Sequence, residues 1–296
     1  MSDEGVVRLA HFSDLHLTTT PLGWQARDWL SKRVTGWLNA RLLPRFFRFR
    51  HAEIAVRALV EDLGAANVNH AIFSGDASTL GFESECRHAA GLLPLSTMPG
   101  LAVPGNHDYY TPLAEASGGF ERAFASWQQG LRIDHATYPF AQPVGHIWLI
   151  ALNSSRGNCL PWDATGYVDQ PQLERLLQLV KRLDERPRIL VTHYPVLREN
   201  GQPETGHHAL VNPHEVLEAA RAAHISAWLH GHRHHAYCLT GALPFPVICA
   251  GSATDSSCWT WHWYEIEGQD LRIQGRVFRP ATGRFEAGDS LSVSLS

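Results

Sequence analysis

Five times in this sequence a short apolar run ends in aspartate, histidine or asparagine set among small residues. Val6–Phe12 is followed by Ser13-Asp14-Leu15-His16, Ala71–Phe73 by Ser74-Gly75-Asp76, and Leu101–Val103 by Pro104-Gly105-Asn106-His107-Asp108. Ile189–Val191 runs into Thr192-His193, and Ile225–Leu229 into His230-Gly231-His232-Arg233-His234. Runs this short read as buried strands. Helical patterns lie between them. Val56, Leu59, Val60 and Leu63 fall at i, i+3, i+4 and i+7 before Gly64 within His51–Gly64, and the others are Glu83–Leu93, the Leu173, Leu176, Leu177, Val180, Leu183 series, and Pro213–Ala223. Such alternation specifies an α/β layered domain. In sheets of that class ligands gather at the carboxyl ends of the strands, so the five motifs are predicted to meet in one pocket. Further strands are expected at Ile147–Leu152 and within residues 236–279, with turns at Gly241 and Gly268, and Ser290–Ser296 reads as a last edge strand or a frayed tail. No repeat or linker divides the chain, and a single domain over residues 1–296 is expected.

The motif side chains are carboxylate, imidazole and amide donors without a thiolate, a set suited to Mn, Fe, Zn or Mg. In Asp14-Leu15-His16 and in His232-Arg233-His234 the donors stand two residues apart. On extended backbone they point the same way and reach one ion together. Glycines beside Asp76, Asn106 and His232 let the backbone turn tightly. A single Asp-x-His is commonly a solvated turn; five motifs in this order, each behind a strand, are not. The five cysteines, Cys86, Cys159, Cys238, Cys249 and Cys258, are odd in number and form no CxxC pair, which argues against a disulfide scaffold or a cysteine zinc site. With 296 residues and 44% hydrophobic content the chain buries a full core, and a formal net charge of −4 argues against a nucleic-acid binder. The N-terminal stretch lacks a basic segment followed by an apolar one, and no apolar run approaches the ~18 residues of a membrane span. A reduced, cytoplasmic protein is the expectation.

The series DxH, GD, GNHD, H, GHxH, spread over residues 14 to 234, resembles the calcineurin-like metallophosphoesterases. The resemblance implies a four-layer α/β/β/α sandwich and a centre of two divalent or trivalent ions, Mn, Fe or Zn. It implies Asp14, His16 and His234 on one ion, Asn106, His193 and His232 on the other, and Asp76 bridging them. His107 would lie beside the scissile phosphate, with Asp108 orienting it. The chemistry agrees: two cations about 3.5–4 Å apart clamp a phosphate and activate water for in-line displacement. A shared carboxylate reduces their repulsion, and a nearby imidazole protonates the leaving oxygen. Of the remaining histidines, His235 is expected at the surface or just behind the ligands, His230 in packing, and His207-His208 in a solvated loop, with contact to substrate as the alternative.

Between the first two motifs lies a basic, aromatic insert at about residues 22–50. Arg27 to Arg50 holds seven Lys/Arg against one acid, Asp28. Leu30, Val34, Trp37 and Leu38 are helically spaced, Pro44 breaks the helix, and Trp24, Trp29, Phe46, Phe47 and Phe49 add apolar surface. The stretch is compatible with an ordinary packed helix pair, with a cap whose Arg or Lys meets substrate phosphates, or with an element that lies on the inner face of a membrane. Lys32-Arg33, Gly36 and Asn39 give a weaker resemblance to UDP-diacylglucosamine diphosphatases, which implies a lipid-linked diphosphate as an alternative substrate. The protein phosphatases of the family usually carry arginines where this chain has Ala77-Ser78-Thr79 and Tyr109-Tyr110. A phosphodiester or diphosphate is therefore the expected substrate. An inactive binding module of the same fold would have lost ligands, and none is missing. A nuclease is disfavoured by the acidic balance, although the insert is locally basic.

Overall fold

The computed structural model describes residues 5–42 and 44–295; Met1–Glu4, Leu43 and Ser296, and the side chains of Pro44 and Phe46, lie outside what it describes. Strands β1 (Val7–Phe12), β2 (His70–Phe73) and β3 (Gly100–Ala102) pair in parallel. A second sheet holds β4 (Phe140–Val144), β5 (Ile147–Ala151), β6 (Arg188–Val191), β7 (Ala227–His230), β8 (Ala236–Leu239) and β9 (Val247–Ala250), in the order β4-β5-β6-β7-β9-β8. The chain then returns to the first sheet as β10 (Thr260–Glu267), β11 (Asp270–Arg279) and β12 (Arg284–Ser294), completing the order β12-β11-β10-β1-β2-β3. The tail is thus an edge strand, and it begins earlier than the alternation after Ser290 suggests.

The helices are α1 (Arg33–Leu42), α2 (Pro44–Phe49), α3 (Ala52–Ala65), α4 (Glu83–Leu92), α5 (Pro112–Ser117), α6 (Gly119–Ala123), α7 (Gln170–Val180) and α8 (Pro213–Ala222). Side-chain alternation along the strands builds three cores. Leu9, Ile72, Leu101, Ile189, Val191 and Leu229 pack between the sheets. Ala10, Phe12, Ala71 and Phe73 face the opposite way, onto Val56, Leu59 and Leu63 of α3 and Cys86 and Ala89 of α4. Leu190 and Trp228 face Leu173 and Leu176 of α7 and Val216 and Ala219 of α8. Helices, sheet, sheet, helices is the four-layer α/β/β/α sandwich. It explains why the central strands are apolar on both faces.

The insert is a pair of short helices preceded by a 3-10 turn at Ala26–Leu30. Arg33 fixes it to the sandwich: its guanidinium pairs with Asp28 at 2.6 Å, donates to the Leu80 and Gly81 carbonyls, and lies 4.0 Å over the Phe82 ring. Lys32 Nζ donates to the Asp163 carbonyl at 3.0 Å and sits over Tyr110, and a Cβ at Gly36 would collide with the Tyr110 hydroxyl. Lys32, Arg33 and Gly36, which carry the weaker resemblance, dock the insert. Trp29, Leu30, Leu42 and Phe47 are exposed along it. No helix among the described residues is long and apolar enough to cross a membrane.

Candidate metal centre

Asp14 and His16 follow β1, Asp76 follows β2, and Asn106, His107 and Asp108 follow β3, all at the carboxyl edge of the first sheet. His193 follows β6, and His232 and His234 follow β7, at the matching edge of the second. Five of these residues hold left-handed backbone without being glycine: Asp14, His16, Asp76, His232 and His234 have φ of 57°, 44°, 61°, 68° and 51°. Such a conformation costs a non-glycine residue about 1–2 kcal/mol and persists where surrounding structure enforces it, typically at functional sites. It turns each donor out of its strand and into the cleft. A Cβ at Gly105 would overlap Asp76, and one at Gly231 would overlap Ser13, so both positions require glycine for close approach.

The donors form two groups. Ligand atoms of Asp14, His16, Asp76 and His234 all lie within 4.8 Å of one another. His234 Nε2 is 3.0 Å from both Asp14 Oδ1 and His16 Nε2, and His16 Nε2 is 3.6 Å from Asp14 Oδ1. In the second group, Asn106 Oδ1 is 3.1 Å from His193 Nε2 and 3.0 Å from His232 Nδ1. Asp76 Oδ2 joins them, 3.6 Å from His16 Nε2 and 3.5 Å from His193 Nε2. Donors bound to one cation at about 2.0–2.2 Å stand roughly 3.0–3.5 Å apart at adjacent positions, so both groups have cation-sized spacing. Asp14 Oδ1 is buried and takes part in no hydrogen bond of normal geometry, although His234 is near. A cation is the partner that such an atom lacks.

The electrostatics fit the same group. Burial raises the Asp14 carboxyl, but His234 and His16 outweigh it and hold it well below the usual range. Burial lowers the His193 imidazole, but Asp76 wins and pushes it up to about 9. Buried carboxylates here draw positive charge onto imidazoles, and cations would displace those protons. The outer nitrogens are fixed as ligating histidines require. His193 Nδ1 meets the Ser74 carbonyl at 2.8 Å, His234 Nδ1 meets Asp255 Oδ2 at 2.8 Å, and His232 Nε2 meets the His208 carbonyl at 2.9 Å.

His107 stands beside the first group, its ring centroid 4.7 Å from that of His16. Its backbone amide donates to Asp76 Oδ1 at 2.7 Å, which leaves Asp76 Oδ2 free for the two groups. Asp108 does not orient the His107 ring. The Thr79 carbonyl does, at 2.7 Å from Nδ1. Asp108 instead accepts the backbone amides of Asp76, Ser78 and Gly105, each at 2.9 Å, and clamps two motif turns together. Burial, then the Asp76 charge, pushes its carboxyl up to about 7. His230 is buried and His235 exposed, as expected, whereas the His207-His208 loop reaches the centre through the His208 carbonyl.

Sequence reasoning missed Arg45 and Asp255. Asp255 follows β9 at the same edge and pairs with Arg48, but four residues separate it from its strand. The apolar run Val247–Ala250 ending in Gly251-Ser252 was the available signal. Arg45, on α2, lies 2.8 Å from His16 Nδ1 and 3.2 Å from His107 Nε2.

A sandwich with such donors at its joined sheet edges defines a metallophosphoesterase. The sequence profile of the calcineurin-like phosphoesterases matches residues 7–236, and the chain belongs to that family. It is a metal-dependent phosphoric ester hydrolase with divalent ions in a dinuclear centre. Among solved structures the fold is similar to a dimetal phosphatase from Danio rerio, with TM-score 0.67, 13% identity, and coverage of 98% of this chain and 99% of that one. It is also similar to the purple acid phosphatase PPD1 of yellow lupin, with TM-score 0.62, 11% identity, and coverage of 98% and 54%. No curated protein matches the sequence.

Proposed function

We propose that the protein hydrolyses a phosphodiester or diphosphate bond at Asp14, His16, Asp76, Asn106, His193, His232 and His234, with Mn, Fe or Zn as the ions. The observation that carries this reading is Asp76 Oδ2, which stands at nearly equal distance from one donor of each group. Asp14, His16 and His234 would hold one ion, Asn106, His193 and His232 the other, and Asp76 would serve both. Cations bound there would supply a positive field around the phosphate and activate water for attack at neutral pH. As an oxygen from water adds to phosphorus, the bond to the leaving oxygen breaks, and that oxygen takes a proton. His107 presents Nε2 for this transfer because Thr79 occupies Nδ1. Burial and Arg45 keep the His107 imidazole well below its ordinary pKa, and an anionic phosphate between them opposes that effect.

A diester is favoured over a monoester because space lies on two sides of the centre. A cavity of about 240 Å3 is lined by Asp76, Asn106, His107, His208 and His232, and another of about 350 Å3 opens beyond Arg45. Residues 1–296 act as one domain in this reading, with the insert as a cap. The exposed Trp29 and Leu30 beside basic residues favour, as a second reading, a lipid-linked diphosphate met at a membrane surface. The test is turnover of bis-p-nitrophenyl phosphate against p-nitrophenyl phosphate by the Mn-loaded protein. Faster diester hydrolysis is expected; monoester preference overturns the substrate class, and no turnover of either after metal loading favours an inactive module.

A further inference from the structure

An imidazole that gives one nitrogen to a cation carries its proton on the other. His193, His232 and His234 each place that second nitrogen against an acceptor. His16 does not. Its Nε2 faces Asp14, Asp76 and His234, and its Nδ1 faces Arg45 Nη2 at 2.8 Å. A guanidinium has donors only. Once Nε2 is committed to a cation, two N–H groups therefore point at each other. The same Nη2 is 3.2 Å from His107 Nε2, which accepts from it while His107 Nδ1 donates to Thr79, but Arg45 Nε is buried without a hydrogen-bond partner. Among the described residues, no carboxylate or carbonyl is hydrogen-bonded to Arg45 at this point. What the cluster lacks is an anionic oxygen.

Arg45 is also held in place. Arg48, one turn on, pairs with Asp255, and Phe49 packs edge-on against His16 and His234, with centroids 4.7 and 5.7 Å away. Arg45 lines both cavities. The larger one, beyond it, is walled by Leu17, Trp37, Ala40, Phe49 and Leu80, and the exposed Arg41, Arg50 and Glu53 also line it. Its volume of about 350 Å3 falls at the small end of the range for ligand pockets, about 300–1,000 Å3.

We propose that Arg45 is a substrate-binding residue that the insert adds to the centre, taking a non-bridging phosphate oxygen, and that the cavity behind it receives one flat, apolar substituent of the diester. This rests on the diesterase reading above. A phosphate oxygen at that point accepts from Arg45 and from His16 Nδ1 and lies next to His107. It replaces opposed donors with charge-assisted hydrogen bonds. The aromatic and aliphatic walls then select among esters by the shape of the group they enclose.

The test uses the full-length, Mn-loaded protein and the variants Arg45→Met, Arg45→Gln and Ala40→Trp. Inorganic phosphate is titrated calorimetrically, metal content is measured by elemental analysis, and kinetics are followed on bis-p-nitrophenyl phosphate. Arg45→Met is expected to keep both ions and bind phosphate about 10–100-fold more weakly, the worth of a charged hydrogen bond. Should it lose metal, Arg45→Gln decides by the same titration. Ala40→Trp is expected to bind phosphate as the wild type does while KM for the diester rises several-fold. Wild-type phosphate affinity in an Arg45 variant that retains both ions overturns the role of Arg45. An unchanged KM in Ala40→Trp overturns the pocket. Phosphate binding that depends on Arg45 in a protein that turns over neither ester overturns the diesterase reading alone.

Discussion

Asp76 reaches two groups of donors through one oxygen because the His107 amide holds the other. Removing the carboxylate leaves two cations unshielded from each other. Asp76→Ala is therefore expected to lose metal and abolish hydrolysis, with elemental analysis reading the first effect and diester turnover the second. His107 makes a different prediction. Its ring is held by Thr79 and faces the cavity without sharing a donor atom with either group. His107→Ala should keep both ions and lower kcat by about 10²–10⁴-fold, the usual worth of a positioned proton donor. Loss of both ions from that variant would contradict the assignment. Asp108 earns its place through backbone: three motif amides converge on its carboxylate.

The turn after β2 shows how an element is held at one remove from the chemistry. Glu85, on α4, accepts from the Leu80 and Phe82 amides at 2.9 and 3.2 Å, while Arg33 of the insert takes the Leu80 and Gly81 carbonyls. Burial pushes the Glu85 carboxyl up to about 7 from an ordinary 4.5. Between those values the folded protein keeps a proton that the unfolded chain has released. The associated stability is complete below pH 4.5 and is lost as pH rises through 7, about 3 kcal/mol in all. Denaturant unfolding at pH 5, 6, 7 and 8 should show that decline in the wild type and a flatter profile in Glu85→Gln; parallel profiles would refute it. The insert's own docking depends on Arg33, whose loss leaves Asp28 buried and unpaired. Arg33→Ala should cost about 3–5 kcal/mol locally and open residues 22–50 to limited proteolysis. The elements that could be read in advance share one property: β1, β2, β6 and β7 are buried on both faces, so each is an apolar run ending at a motif. β4 contains Gln142 and Pro143 and pairs only at an edge, and α5 and α6 are too short to show a period. The same limit hid Arg45 and Asp255. Long-range packing, not local pattern, brings a basic helix and a late loop to the site.

At the scale of the whole molecule, the centre is a junction between two sheets. Asp14, His16, Asp76 and Asn106 come from the loops of the first, and His193, His232 and His234 from those of the second. Each proposed ion is held by residues of both sheets. Cations bound here therefore cross-link, at the sheet edge, what the inter-sheet core of Leu9, Ile72, Ile189 and Leu229 joins by apolar burial. Ligands that bind only the folded state stabilise it by mass action, about 2.7 kcal/mol at a hundredfold excess over Kd and about 4.1 at a thousandfold. They also offset the left-handed strain at Asp14, His16, Asp76, His232 and His234, which the metal-free chain must bear unaided. Denaturant unfolding in excess Mn should thus exceed that in EDTA by roughly 3–4 kcal/mol per site filled at such excess. Hydrogen exchange should slow on both sides of the junction, after β1 and β2 and after β6 and β7. In Asp76→Ala the increment should shrink and the protection should no longer extend across both sheets. An increment that survives intact in that variant would mean that the stabilising ions bind elsewhere and that the junction does not depend on a shared carboxylate.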